Sequence, residues 1–438
     1  MLRQFDYNKI PVVDLVNQIM LDSSKRGASD IHFDPLSDNM KIRIRVDGIL
    51  HDYALVPNTI KKNLITRIKI ISGMNITESR LPQDGAIKAT LQGVNLDLRV
   101  SCIPTNEGEK VVIRILDYSA SLNGIETLGF SQKNLVKILE MLKKPNGIIL
   151  VTGATGSGKS TTVYSLLQRL NTEETNIITV EDPVEMSIEG INQIQTNSDI
   201  GLDFATALRS ILRQDPNVIM IGEIRDTETA KIAVRASITG HIVLSTIHTN
   251  NSLNTIERLL DMDVERYLLA SALEGIISQV LARRLCPHCK KLRNTNQYEK
   301  NLFKKVLNKD IAQIYSTEGC EKCSNGYSGR IAVHEVLLFN QDIRDAISAG
   351  VRREELRNLV FKSGVNTLLQ DGLEKVIEGY TTVEEVLKLI ELDDDEKEAA
   401  YGLNNAISNT DIAKQTEVST QTNNMSIPKP NIINQVNH

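Results

Sequence analysis

Residues 147–161 read Gly147-Ile-Ile-Leu-Val-Thr-Gly-Ala-Thr-Gly-Ser-Gly-Lys-Ser-Thr161. The four apolar residues 148–151 form a short run of the kind that makes a buried strand, and Val163, Leu166, Leu167 and Leu170 recur afterwards at helical spacing. Between them, residues 153–160 fit G-x-x-x-x-G-K-[ST], a phosphate-binding loop. Gly153, Gly156 and Gly158 let the backbone curl, so that N–H groups along Ala154, Thr155, Ser157, Ser160 and Thr161 converge on one point. Those groups, with the positive end of the following helix, hold phosphate oxygens. Lys159 reaches the terminal phosphates and the Ser160 hydroxyl sits on Mg²⁺. A glycine-rich turn that matches by chance has no reason to sit between a strand and a helix, so nucleotide binding is the reading.

Downstream, short apolar runs alternate with helical stretches. Residues 177–180 read as a strand ending in Glu181 and Asp182, 204–213 as a helix, and 218–221 as a strand ending in Gly222-Glu223. An alanine-rich helix over 227–238 and a strand over 242–246, ending near His248, follow. Such alternation predicts an α/β fold, a parallel sheet flanked by helices, with the ligand outside the carboxyl ends of the strands. Glu181, Asp182, Glu223 and His248 fall at those ends. Glu223 is placed to orient and polarise an attacking water. Glu181 or Asp182 is placed to reach Mg²⁺ through water, and His248 to donate to a γ-phosphate. For His248 and His241 a solvent-facing polar residue is an equally simple account. Gly222 stands where a Mg²⁺-holding aspartate commonly ends such a strand, which leaves Ser160 as the direct protein ligand.

Upstream, residues 11–26 carry Val12, Leu15, Val16 and Ile19 at helical spacing, and Gly27 closes the helix. Strands are predicted over 28–35, 40–46, 85–90, 94–102 and 110–116, a hairpin turn at Asp47-Gly48, and a helix over 57–72. This is an α+β domain, 1–118, joined to the core by a linker over 119–130 rich in small and turn-forming residues. Taken from spacing, Arg80, Arg99 and Arg114 read as solvated strand charges.

Cys286-Pro-His-Cys289 and Cys320-Glu-Lys-Cys323 are two C-x-x-C turns about thirty residues apart. Two such turns complete a closed, structural Zn–S₄ site. A redox pair or unligated thiols are the alternatives, and Cys102 stands alone. The last residues, 393–438, begin with an acidic run and continue rich in Asn, Gln, Ser and Thr, which predicts disorder. At 438 residues and a formal charge of −5, the chain has room for several domains and lacks the basic balance of a nucleic-acid binder. The absence of an 18-residue apolar run or a signal core predicts a cytoplasmic protein.

Together these motifs resemble the ATPases that drive type II secretion and type IV pilus assembly, over about residues 10–390. The resemblance rests on Gly-Ala-Ser-Asp-Ile-His (27–32), Arg-Ile-Arg-Val-Asp-Gly (43–48), Arg-Leu-Pro-Gln-Asp-Gly (80–85) and the loop at 153–160. It continues through Thr-Val-Glu-Asp-Pro-Val-Glu (179–185), Ile-Gly-Glu-Ile-Arg-Asp (221–226), residues 239–250, both cysteine pairs and Gly-Tyr-Ser-Gly-Arg (326–330). It implies a RecA-like P-loop ATPase core over 131–285, with a PAS-like N-terminal domain packed over the nucleotide. A tetracysteine zinc subdomain over 286–330 and a C-terminal helical subdomain over 331–392 follow. It implies ATP, Mg²⁺ and structural Zn²⁺, with Glu223 catalytic, Glu181 and Asp182 an acidic box, and His241 and His248 a histidine box. Arg99 and Arg114 then reach the phosphates. A homo-hexamer is implied, peripheral to the cytoplasmic membrane, acting on a polytopic platform protein and through it on pilin-like subunits, without direct nucleic-acid contact. No extra N-terminal docking domain is expected ahead of residue 10. A nucleic-acid translocase on a similar core and a non-hydrolysing nucleotide-gated scaffold are the competing functions.

Overall fold

The computed structural model describes residues 2–116, 124–391 and 397. Residues 119–123 of the expected linker and, apart from 397, the expected tail lie outside the described residues. Among the described residues, those up to 293 and 313–390 pack as one compact unit, and residues 294–312 belong to a second.

The first unit holds two large sheets. The N-terminal one is six-stranded and antiparallel, built from β1 (Ala28–Pro35), β2 (Asn39–Val46), β3 (Ile49–Pro57), β4 (Gln83–Leu91), β5 (Val94–Thr105) and β6 (Gly108–Leu116). Its order, β3-β2-β1-β6-β5-β4, places β1 between a hairpin and a meander. On β2, Met40, Ile42 and Ile44 are buried while Lys41, Arg43 and Arg45 are not, the period of two that a one-sided sheet requires. The helices Val12–Lys25 and Asn58–Ile71 supply Leu15, Ile19, Leu64 and Ile68 to the same core as Phe33, Ile42 and Val100.

The second sheet is seven-stranded. Its members are β7 (Gly147–Thr152), β8 (Ile177–Glu181), β9 (Asn192–Gln195), β10 (Val218–Ile221), β11 (Ile242–Ile247), β12 (Leu273–Leu285) and β15 (Tyr327–Leu338). The smaller strands β13 (Lys290–Asn294) and β14 (Gln313–Thr317) pair with each other. The order is β15-β12-β7-β11-β10-β8-β9, parallel except for β15. Every residue of β7, β8 and β10 is buried, as expected for strands covered on both faces. Ile148 and Leu150 enter one core and Ile149 and Val151 the other, so β7 is gripped from both sides.

One boundary from the sequence needs correction. The resemblance implies a zinc subdomain over 286–330 and a helical subdomain from 331. Instead β15 runs antiparallel along β12, from Leu338 opposite Gly275 to Tyr327 opposite Leu285, and β12 pairs with β7. The cysteine segment therefore interrupts two adjacent strands of the nucleotide sheet, and a division at 330 falls inside β15. The partner of β15 lies some fifty residues away, where local periodicity carries no signal. The helices Gln341–Ala349, Arg353–Lys362, Leu368–Ile377 and Val383–Leu389 follow.

In the second unit the helix Gln297–Leu307 opens with a reciprocal cap between Asn296 and Glu299, and Thr295 N–H donates to the Ala312 carbonyl at 2.9 Å. Among the described residues no helix is long and apolar enough to cross a membrane.

Candidate active site

Parallel pairing in the order β7-β11-β10-β8 brings four strand ends side by side, so the residues after each strand become neighbours although they lie far apart in sequence. After β7 the loop turns into the helix Lys159–Leu170, with Ser157 buried and residues 154–156 and Ser160 exposed at the loop surface. The Lys159 ammonium donates to the carbonyls of Gly153 (2.9 Å) and Ala154 (3.1 Å). Burial lowers its pKa, and the nearby Glu223 charge pulls it back up. Charge-assisted hydrogen bonds are each worth about 1.5–3 kcal/mol. Lys159→Ala is therefore expected to weaken nucleotide binding by about 10–100-fold. Titration with a fluorescent ATP analogue checks this, and unchanged affinity would remove the loop from the site.

The end of β10 is stitched to the end of β11. Ser245 Oγ donates to the Ile221 carbonyl (2.8 Å), Thr246 Oγ1 to the Gly222 carbonyl (2.7 Å), and Ile224 N–H to the Thr246 carbonyl (2.9 Å). This fixes Glu223 beside His248, whose Nε2 is 3.3 Å from Glu223 Oε2. The other Glu223 oxygen is bonded by Arg225, whose Nη1 also lies 3.7 Å from Asp182. Burial alone would raise the Glu223 pKa, but Arg225 and then His248 hold it below the ordinary carboxylate value. The result is an ionised carboxylate able to accept a proton from water. Gly222 has a local reason: a Cβ there would lie 3.3 Å from Glu181 Cα and 3.4 Å from the Val180 carbonyl. Any side chain there would have to push β8 back by a few tenths of an ångström, so the close approach of the two strands favours glycine.

The structure separates the two acidic-box residues. Asp182 is half-exposed and shares Arg225 with Glu223. Glu181 is 3% exposed and its oxygens are taken by the Tyr164 hydroxyl, Thr179 Oγ1 (2.6 Å) and Gln193 Nε2 (3.0 Å). Burial, with Glu181 next to it, pushes the Tyr164 phenol up in pKa. Its oxygen also accepts from Glu185 N–H (3.2 Å), so Tyr164 joins the loop's helix to the segment after β8.

Arg99 and Arg114 are register partners on β5 and β6. Arg99 Nη2 donates to the Val184 carbonyl (3.0 Å) and its Nε lies 3.3 Å from Glu185, so it is engaged with the segment that follows β8 and is no solvated strand charge. Arg114 stays within its own sheet, 3.2 Å from Asp30 and two-thirds exposed. Arg80 is exposed and paired with Glu78. His241 departs from the expectation of a shared histidine site. It precedes β11, its Nδ1 is 2.9 Å from the Ala236 carbonyl, and its own carbonyl accepts from Gly147 N–H. Seven residue steps along extended chain at about 3.3 Å each put it roughly 23 Å from His248, at the amino edge of the sheet. A cleft of about 1190 Å³ opens beside the loop, bounded by Tyr53, Ile115, Leu128, Thr161, Leu281 and Arg330. Sequence reasoning did not single out Arg225 or Tyr164, because their value comes from partners on other strands.

Cys286, Cys289, Cys320 and Cys323 converge, with all four Sγ atoms within 4.8 Å of one another. The separations are 3.9 Å (286–320), 3.7 Å (289–323) and 3.6 Å (320–323). A tetrahedron with Zn–S bonds of about 2.3 Å has edges of about 3.8 Å, so the donor set fits Zn²⁺. Cys102 is instead a lone buried thiol, pushed up to about 12 by burial and by Glu109.

A P-loop on a mostly parallel sheet, a strand-end glutamate held ionised and a four-thiolate clip define a P-loop ATPase with an added antiparallel-sheet domain. Residues 6–388 match the family described as "Type II/IV secretion system protein", and the chain belongs to that family of secretion and pilus ATPases. It is 46% identical over 391 residues to the type II secretion system protein E of Xanthomonas campestris, covering 88% of this chain and 68% of that one. It is 46% identical over 382 residues to the type IV pilus assembly ATPase PilB of Myxococcus xanthus, covering 86% and 67%. Among solved structures, the pilus retraction motor PilT with bound ADP superposes with a TM-score of 0.61 at 27% identity, over 87% of this chain and 98% of that one.

Proposed function

We propose that this chain is the ATP-hydrolysing subunit of a hexameric ring that powers assembly of a type IV pilus or a secretion pseudopilus. The ring works at the cytoplasmic face of the membrane, against a polytopic platform protein that moves pilin-like subunits. The observation that carries this reading is Glu223, clamped by Arg225 and His248 at the strand end next to the phosphate loop. In that role Glu223 orients the attacking water and accepts its proton, while Lys159 and the loop amides at 153–161 hold the phosphates. Ser160 holds Mg²⁺, which supplies charge neutralisation on those phosphates, and Asp182 is the acidic-box carboxylate free to approach its hydration shell. His248 is placed to report loss of the γ-phosphate through its contact with Glu223. Arg99 and Arg114 reach the phosphates on closure of the two sheets, which couples hydrolysis to domain rotation. Glu181 serves by anchoring its segment, and the cysteines hold structural Zn²⁺. The N-terminal domain 1–118 and the core that begins at 131 are the two units that move against each other, with β15 counted in the core sheet and not divided at 330.

The test is native mass together with ATP turnover, with and without vesicles carrying the platform protein. Hexamers whose turnover rises with those vesicles support the reading. Turnover stimulated by DNA and not by the vesicles would move it to a nucleic-acid translocase. A hexamer that binds ATP without hydrolysing it would make it a scaffold.

A further inference from the structure

We infer that Gln279 is a positioning residue for the phosphate loop, holding it in its anion-binding curve from a neighbouring strand; this rests on the reading of that loop as the nucleotide site. Gln279 lies on β12, where Ser278 pairs with Thr152, so residue 279 sits level with the point at which β7 gives way to the loop. Its side chain is 1% exposed and both ends of the amide are used. Nε2 donates to the Ser157 carbonyl at 2.7 Å, and Oε1 accepts from Thr162 Oγ1 at 2.8 Å. A carbonyl only accepts, which settles which end of the amide faces Ser157.

The consequence follows from peptide geometry. In a planar trans peptide the C=O and the next N–H point in opposite directions. Pinning the Ser157 carbonyl onto Gln279 therefore aims the Gly158 N–H away from β12, toward the loop's concave side where a phosphate is bound. The second hydrogen bond fixes Thr162 in the first turn of the helix, so the segment 157–162 that carries Lys159 and Ser160 is held at both ends. The glycines of the loop are shaped to the same residue. A Cβ on Gly153 would lie 2.3 Å from the Gln279 carbonyl oxygen, and one on Gly158, whose φ is +90°, 3.1 Å from Nε2. Gln279 touches no reacting atom; its effect passes through the backbone amides.

Gln279→Met keeps the length of the side chain and removes both hydrogen bonds. Gln279→Glu keeps the acceptor for Thr162 but sets a carboxylate against the Ser157 carbonyl. In the full chain, each is expected to raise the Kd for a fluorescent Mg·ATP analogue, and the KM for ATP, by about tenfold. Their melting temperatures and kcat should change far less, whereas damage to folding would lower kcat with the active fraction and leave KM in place. Thr162→Val should weaken binding less, and adding it to Gln279→Met should cost little more, since the shared bond is already gone. Wild-type Kd and KM in Gln279→Met, or in Gln279→Glu should the first variant not fold, overturns the inference. A wild-type chain that binds no nucleotide overturns the nucleotide reading itself.

Discussion

Glu223→Gln is expected to lower ATP turnover by about a thousandfold while leaving nucleotide affinity near wild type. A positioned general base contributes typically 10²–10⁴-fold, and this carboxylate has the geometry for the part, with one oxygen bonded by Arg225 and the other 3.3 Å from His248 Nε2. Glutamine keeps the shape and loses the charge and the capacity to take a proton. Single-turnover hydrolysis with a fluorescent-nucleotide titration alongside separates the two effects. Turnover within tenfold of wild type would remove Glu223 from its role.

The pH dependence has a definite sign. The Glu223 pKa lies below its ordinary value of 4.5, so the base stays ionised from neutrality down past that value, and its loss is confined to pH below 4.5. Its stabilising contribution has the same form: present above the unfolded-state value and lost as pH falls through the lower folded-state one. Removing the guanidinium with Arg225→Ala leaves burial as the largest influence, which raises the pKa. The acid limb of turnover in that variant should move to higher pH. A limb that stays in place would show that some other group sets it.

Much of this site is legible from residue order alone, because P-loop chemistry is local. A strand, a glycine-rich loop and a helix are contiguous, and burial on both faces makes β7, β8 and β10 read as apolar runs. The carboxyl-end rule then finds Glu223, Asp182 and His248 without coordinates. What escapes is whatever depends on a partner across the sheet. A glutamine in the apolar stretch 273–285 has no signature, yet Gln279 meets Ser157 and Thr162 because β12 is the neighbour of β7. Glu181 and Asp182 are adjacent in sequence and equivalent by motif. Alternation along the strand end sends one into a cage of Tyr164, Thr179 and Gln193 and leaves the other near Arg225. His241 and His248 share one motif, but an extended chain separates what a helix would have brought together. Arg99 is a strand charge by pattern and an inter-sheet contact by geometry, since its partners lie 85 or more positions away.

Replacing Cys286 and Cys289 by serine is expected to abolish bound zinc and lower the melting temperature by about 10 °C, while nucleotide affinity stays within a few-fold of wild type. The first part follows from the donor set: two ligands would not retain an ion that four thiolates at tetrahedral spacing would hold, and metal binding to such a site is folding free energy. A loss of a few kcal/mol in a domain of this size lowers the midpoint by roughly 2–4 °C per kcal/mol. The second part is less obvious, because Cys286 directly follows β12, the strand that carries Gln279. Seven residues at about 3.3 Å separate the clip from that side chain by roughly 23 Å, and a second clamp lies between. Arg283 forms a bidentate pair with the nearly buried Glu385 at 2.9 and 2.6 Å and stacks over Tyr327 at 4.1 Å. Thr381 Oγ1 donates to the Arg283 carbonyl (2.9 Å) and Leu285 N–H to the Tyr380 carbonyl (2.7 Å). These contacts need no metal, and removing one partner of a pair this enclosed costs about 3–5 kcal/mol, enough to stop disorder at the clip from travelling along the strand. Metal content by atomic emission, a thermal melt and a nucleotide titration on the one variant decide the matter. Unchanged zinc would refute the clip, and no metal in the wild type with reversible oxidation of two thiols would make it a redox pair. A loss of nucleotide affinity that parallels the loss of zinc would show that the ion, and not the Arg283–Glu385 clamp, sets the end of β12.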